Sequence, residues 1–276
     1  MKYLKGFIFF LFIFSPYALV SQGFHYQINT SAVNSVIKDI ELPEGYTRIE
    51  YDSGSFAFYV QHLPIKRIGE PVMYYNGRIK SNSFHYAVLD VSVGNKDLQQ
   101  CADALIRIRT EYLYANRRFD EINFYFTNGF RAEFSKWCQG YRIKVNGNDV
   151  SWYKTSINSD DYDTLIEFME KVFTYAGSLS LSKELIFTDL STIRPGDVFI
   201  HGGSPGHAML VVDVAKNNNT GEKVFLLAQS FMPAQNIHIV INPDNEKLSP
   251  WYSINFGKKL DTPEWIFFNS EFMSFE

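Results

Sequence analysis

The chain has 276 residues, with 26 Lys and Arg against 30 Asp and Glu and a formal net charge of −4. That length supports one large core or two small ones. The mildly acidic balance, without a dense basic cluster, argues against a nucleic-acid partner, because neutralising phosphates needs clustered Lys and Arg.

The first stretch, MKYLKGFIFFLFIFSPYALVSQ, carries two lysines, an unbroken apolar run from Phe7 to Phe14, a helix-breaking Ser15-Pro16 and small residues near Ala18 and Ser21. This reads as a secretory signal peptide over 1–21, with an apolar run too short to span a bilayer. Nothing later approaches a spanning length. The expected mature chain, 22–276, is therefore exported, periplasmic or secreted, and not membrane-spanning.

From residue 22 to about 85, short aromatic runs are punctuated by Gly and Pro, as in LPEGYTRIEYDSGSFAFYV and PVMYYNGRIK, which predicts a β-rich portion with tight turns. YAVLDVSVG, from Tyr86 to Gly94, predicts a buried strand. NKDLQQCADALIRIRTEYLY then switches to helical period, with Cys101, Ala104, Leu105, Ile108 and Tyr112 on one face. Asp97 is the expected cap, with Gln100 in capping-box register, so Cys101 falls about one turn inside the helix. INFYF predicts a strand, and FRAEFSKWCQG a short helix closed by Gly140. YRIKVNGNDVSWYKT predicts a hairpin turning at Asn146-Gly147. DDYDTLIEFMEKVFTYAGS predicts a second amphipathic helix. Three strand-like runs follow, DVFI, HAMLVVDVA and KVFLLAQS, the last two joined by the polar turn NNNTGEK. IHIVIN and the aromatic tail add further strands. The sum is an α+β domain over 22–276, with a core over 86–276 that carries an insertion at about 116–185 and a largely antiparallel sheet late in the chain.

Two residues carry candidate chemistry. Cys101 lies near a helix start, where free amides and the dipole favour a thiolate; a cysteine there is also a common inert core residue. His207 stands at the mouth of an otherwise apolar strand, either as a packed rim residue or as a base. A cysteine nucleophile needs a base brought to it by the fold, so the two together are worth more than either alone.

A helix-start cysteine followed much later by a strand-start histidine resembles the papain-like superfamily, especially the bacterial CHAP and NlpC-type amidohydrolases and peptidases. QQCADAL, with Gln100 directly before Cys101, is similar to the glutamine–cysteine opening of the CHAP catalytic helix. RPGDVFIHGGSPGHAMLVVDV is similar to the proline-glycine-aspartate strand, glycine turn and glycine–histidine strand of those enzymes. Over its mature length the chain also resembles a family of bacterial secreted proteins known only as a domain of unknown function, which supplies no chemistry. Cys101 and His207 are farther apart than in the small envelope members, so the hairpin and second helix would be an insertion.

The resemblance implies a papain-like fold and a cofactor-free hydrolysis. Cys101 thiolate attacks an amide or ester carbonyl, and His207 protonates the leaving group. The Cys101 N–H and the Gln100 side chain stabilise the oxyanion, and water resolves the thioester. The expected substrate class, from compartment and analogy, is a cell-wall peptide or another amide. For the third member, Asp213 shares strand parity with His207, but six residues of strand span ~20 Å, out of reach. Gln229 ends the neighbouring strand, where an amide oxygen would orient the imidazole.

Three rival readings stand beside this one. Cys101 and Cys138 form a disulfide. His201 and His207, with His85, Asp197 or His238, hold zinc, although no spacing matches a zinc signature. The domain is a catalytically inactive papain-like module that binds glycan, peptide or a partner protein. FRAEFSKW, YYNGR and TPEW read as packing, turns and solvated rims.

Overall fold

The apolar run that begins at His207 becomes the axis of the molecule. The computed structural model describes residues 35–275, so the signal-peptide reading lies outside the described residues. In chain order the first elements are β1 (Tyr46–Arg48), α1 (Phe56–Gln61), β2 (His85–Val88), α2 (Cys101–Ala115), β3 (Asn123–Tyr125), β4 (Arg131–Glu133), α3 (Phe134–Cys138), β5 (Tyr141–Asn146) and β6 (Asp149–Lys154). Then come α4 (Tyr162–Tyr175), α5 (Ser178–Glu184), β7 (Ile186–Phe187), β8 (Val198–His201), β9 (His207–Asn217), β10 (Lys223–Gln229), β11 (His238–Val240), β12 (Tyr252–Ser253), β13 (Lys259–Asp261), β14 (Ile266–Phe268) and β15 (Phe272–Ser274).

The main sheet runs β2-β11-β10-β9-β8-β15-β7, with β1 also on β9 and β12 also on β10. Every pairing is antiparallel, including His201 opposite His207 at the β8–β9 turn. Because β9 is covered on both faces, it tolerates a continuous apolar run rather than an alternating one. Ala208, Leu210 and Val212 join the core shared with α2, while Met209 and Val211 face a second core with Phe199, Phe225 and Phe267. A bulge opposite Leu226/Leu227 shifts the register at Asp213. Beyond it the parity inverts: Val214 joins the second core and Ala215 the first. The residue left without a partner is Val212, and Asp213 beside it, opposite Leu226, is fully buried and is caught by Arg48 Nε at 2.7 Å and Gln61 Nε2 at 2.6 Å.

The segment 116–185 packs on α2 through rings. Phe134 and Trp137 meet Phe168 at centroid distances of 5.4 and 5.7 Å, and Tyr114 of α2 meets Phe134 at 6.1 Å. Its buried residues belong to the same core as the sheet.

Several local expectations are corrected. FAFYV is not a strand: Ser55 Oγ accepts from Phe58 N at 3.1 Å, and the buried set Ala57, Val60 and Gln61 has helical spacing. Among the described residues before His85, β1 is the one strand of more than an isolated bridge, so the β-rich N-terminal portion is not present. The strand expected to run to Gly94 ends at Val88. SLSLSKE, to which the sequence reading gives no element, forms α5.

Since Arg48 is mostly buried beside Asp213, removing the carboxylate strands a guanidinium. Asp213→Ala should cost about 3 kcal/mol in urea unfolding. A loss below about 1 kcal/mol would show that the pair does not hold the bulge.

Candidate active site at the start of the histidine strand

Cys101 is the first residue of α2, not one turn inside it, and Gln100 is the N-cap. The capping carboxylate is that of Asp103, whose Oδ2 accepts from the Gln100 N–H at 3.1 Å. Asp97 acts differently from the expected cap. Its Oδ1 accepts from the Ala234 N–H at 2.7 Å and from Gln100 Nε2 at 3.2 Å. The Gln100 side chain is thus turned onto Asp97, which corrects its assignment to the oxyanion. Ser230 Oγ adds a second tie, reaching the carbonyls of Gln99 (3.1 Å) and Gln235 (2.9 Å). The residues leading into Cys101 are therefore sewn to the loop that follows Gln229.

A third tie reaches the sulfur itself. The N–H of Ala208, one residue past His207, faces the Cys101 thiol, as do the amides of Cys101 and Ala102. All three favour the thiolate. Burial outweighs them and, with Asp103 nearby, raises the pKa of the thiol. Cys101 is consequently a protonated thiol at rest. Asp103 is itself pushed up to about 8 by burial, offset in part by the Gln100 N–H.

His207 is buried among rings: Phe231 at 4.9 Å, Trp265 at 5.4 Å and Phe267 at 5.9 Å between centroids. Its Nε2 lies 2.7 Å from Gln229 Oε1. The surrounding network decides which atom carries the proton. His238 Nδ1 sits 2.9 Å from the Asn236 carbonyl, which only accepts, so that nitrogen is the N–H and Nε2 is bare. Gln229 Nε2 donates to this bare nitrogen at 3.3 Å and to Glu264 Oε2 at 2.6 Å. The amide oxygen is left to face His207, whose Nε2 must donate. The remaining nitrogen, Nδ1, is then the unprotonated one. Glu264 is held in turn by Lys80 Nζ at 2.6 and 2.8 Å.

Burial lowers the His207 pKa to about 4, against the raising effects of the Gln229 hydrogen bond and of Glu264. It lowers that of His238 to about 3. Both rings are neutral near pH 7. The site at rest is a neutral thiol and a neutral imidazole of defined tautomer, not an ion pair.

Gly206, directly before His207, has no room for a Cβ, which would collide with Ser178 Oγ of α5 and the Gly203 carbonyl. The turn into the histidine strand is thus packed against the insertion's last helix.

The rival arrangements do not assemble. Cys101 and Cys138 are both free thiols. Among the described residues no three His, Cys, Asp or Glu converge as metal ligands. His201 bonds Glu271, and His85 is held by Ser83 Oγ (2.7 Å) and the Glu70 carbonyl (2.9 Å). Asp197 accepts the Arg194 N–H at 2.9 Å. Two residues of the TPEW segment, read from sequence as packing, turn or solvated rim without chemistry, belong to the site: Glu264 anchors the Gln229 amide and Trp265 walls the histidine. Only their neighbourhood of Thr, Pro and aromatics marked them, which is an ordinary turn signature.

The chain belongs to the family described as Domain of unknown function (4846), whose model matches residues 36–274. No curated protein matches it, and no solved structure does. Among the described residues no helix is long and apolar enough to cross a membrane.

A pH experiment tests the buried neutral state. An unfolded histidine binds its proton near pH 6.5, whereas folded His207 binds one only near 4. The unfolded chain therefore holds more protons between these values. The stability tied to neutral His207 is complete above pH 6.5 and is lost as pH falls towards 4. Urea midpoints of the wild type should fall relative to His207→Gln across this window, by up to about 1.4 kcal/mol per pH unit. Parallel curves would mean that His207 is not buried neutral.

Proposed function

We propose that this protein is an exported cysteine hydrolase of papain-like, CHAP or NlpC type, cleaving an amide or peptide bond, with cell-wall peptides as the substrate class. The observation that carries the reading is the hydrogen bond from His207 Nε2–H to Gln229 Oε1, which leaves Nδ1 bare on the strand whose next amide faces the Cys101 thiol. A bare imidazole nitrogen is what a neutral thiol needs in order to lose its proton.

In this mechanism His207 Nδ1 takes the Cys101 proton as Sγ attacks the carbonyl carbon. The imidazolium is stabilised by the Gln229 oxygen and, behind it, the Glu264 carboxylate. The helix-start amides at Cys101 and Ala102 are the donors for the oxyanion, in place of the Gln100 side chain. His207 then protonates the leaving amine, and water, deprotonated by the same nitrogen, resolves the thioester. Phe231 and Trp265 keep water from competing for the His207–Gln229 bond.

A second reading is supported by the same burial. A raised thiol and a histidine almost without solvent contact also suit a catalytically inactive papain-like module that binds glycan, peptide or a partner protein. Because the resting thiol is protonated, slow alkylation by iodoacetamide at neutral pH is expected under both readings, and turnover decides between them.

The full chain should release soluble peptide from isolated cell-wall sacculi, read by mass spectrometry. Cys101→Ala and His207→Ala should lower the rate by about 10²–10⁴-fold and Gln229→Ala by less. Cleavage undiminished in Cys101→Ala removes the hydrolase reading, and binding of sacculi without any release of peptide establishes the inactive module.

A further inference from the structure

At the other end of β8 from His201, three arginines converge on a cavity of about 360 Å³. Arg109 comes from α2, Arg118 from just beyond its end, and Arg194 from the loop entering β8. Arg109 is set in a box of rings, its guanidinium carbon 4.9 Å from the centre of Phe56, 5.6 Å from Tyr112 and 5.4 Å from Phe275. Such faces hold a cation in place while leaving its N–H edge directional. Arg118 donates to the Tyr112 hydroxyl at 3.3 Å and pairs with Glu121. Arg194 lies 3.7 Å from Asp197 and is largely exposed. Asp52 and Asp197 also line the cavity, but Asp197 spends one oxygen on the Arg194 N–H. Burial lowers the Arg109 pKa, and the charges of Arg118 and Arg194 push the same way against Tyr112 and Glu121. Glu121 at Arg118 and Asp197 at Arg194 offset part of this charge, and a ligand with several anionic oxygens would share the remainder among the three guanidiniums.

We propose that this cavity binds a small organic polyanion, its clustered phosphate or carboxylate oxygens bridging the guanidiniums of Arg109, Arg118 and Arg194. The planar forks of arginine suit paired oxygens, and the volume is that of a small-molecule site rather than of a lone inorganic ion. Arg109 lies two turns down α2 from Cys101, about 12 Å along its axis, and the cavity shares no residue with the candidate active site.

Titration of the full-length protein with pyrophosphate and with citrate, followed by calorimetry, tests this. One of them should bind saturably at one site per chain, the tighter of the two identifying phosphate or carboxylate as the favoured group. Arg194→Gln, at an exposed position that leaves the fold intact, should weaken binding about tenfold, and Arg109→Gln should weaken it further. Cys101→Ala should bind with unchanged affinity. The proposal is overturned if neither anion binds saturably, if binding is equal in the wild type and both arginine variants, or if Cys101→Ala abolishes it.

Discussion

The Gln229 amide can point only one way, and the candidate site depends on that constraint. His238 offers a bare nitrogen because its other nitrogen serves a carbonyl, and Glu264 offers a carboxylate. Both demand the NH₂ end of the amide. The oxygen end therefore meets His207 and fixes its proton on Nε2. A buried polar network of this kind is costly if any member is unsatisfied and specifying when all are satisfied. Its order along the molecule is Lys80, Glu264, Gln229, His207, with His238 as a side branch.

At Cys101 two physical effects compete. Three backbone amides favour the thiolate, two of them at the helix start and the third, of Ala208, from β9. Desolvation opposes them and wins. The same desolvation strips His207 of its proton affinity, so each partner of the proposed pair is held neutral by the surroundings it shares with the other. In the proposed hydrolase, charge separation would be confined to the moment when a substrate carbonyl arrives to accept it, and the Gln229–Glu264 relay would meet the new positive charge on the imidazole.

Sequence made the late half of the fold legible because β8, β9 and β10 are apolar runs bounded by strong turn chemistry, and one of those turns, NNNTGEK, fixes which strand ends lie together. That adjacency is what points to Gln229, whereas Asp213 is set aside by its distance along its own strand. The early half was not legible: FAFYV has strand-like residue types, and only the N-cap at Ser55 and the spacing of Ala57, Val60 and Gln61 reveal the helix. Glu264 and Lys80 were missed, and His238 was named only as a zinc ligand, for a different reason. They come together through pairings between distant strands and loops, which leave no local period. Gln100 misled because adjacency to Cys101 in sequence places its side chain beyond the helix cap, within reach of Asp97.

The clamp on Gln229 draws on residues from both ends of the chain, with Lys80 in the first third and Glu264 in the hairpin of β13 and β14 near the C-terminus. Cysteine and histidine are both synthesised before Glu264. A nascent or C-terminally clipped polypeptide thus contains the thiol and the imidazole without the carboxylate that, with His238, orients the Gln229 amide and so sets the imidazole's tautomer. For the hydrolase proposed above, the site would be complete only once the β13–β14 hairpin has placed Glu264 against the Gln229 amide.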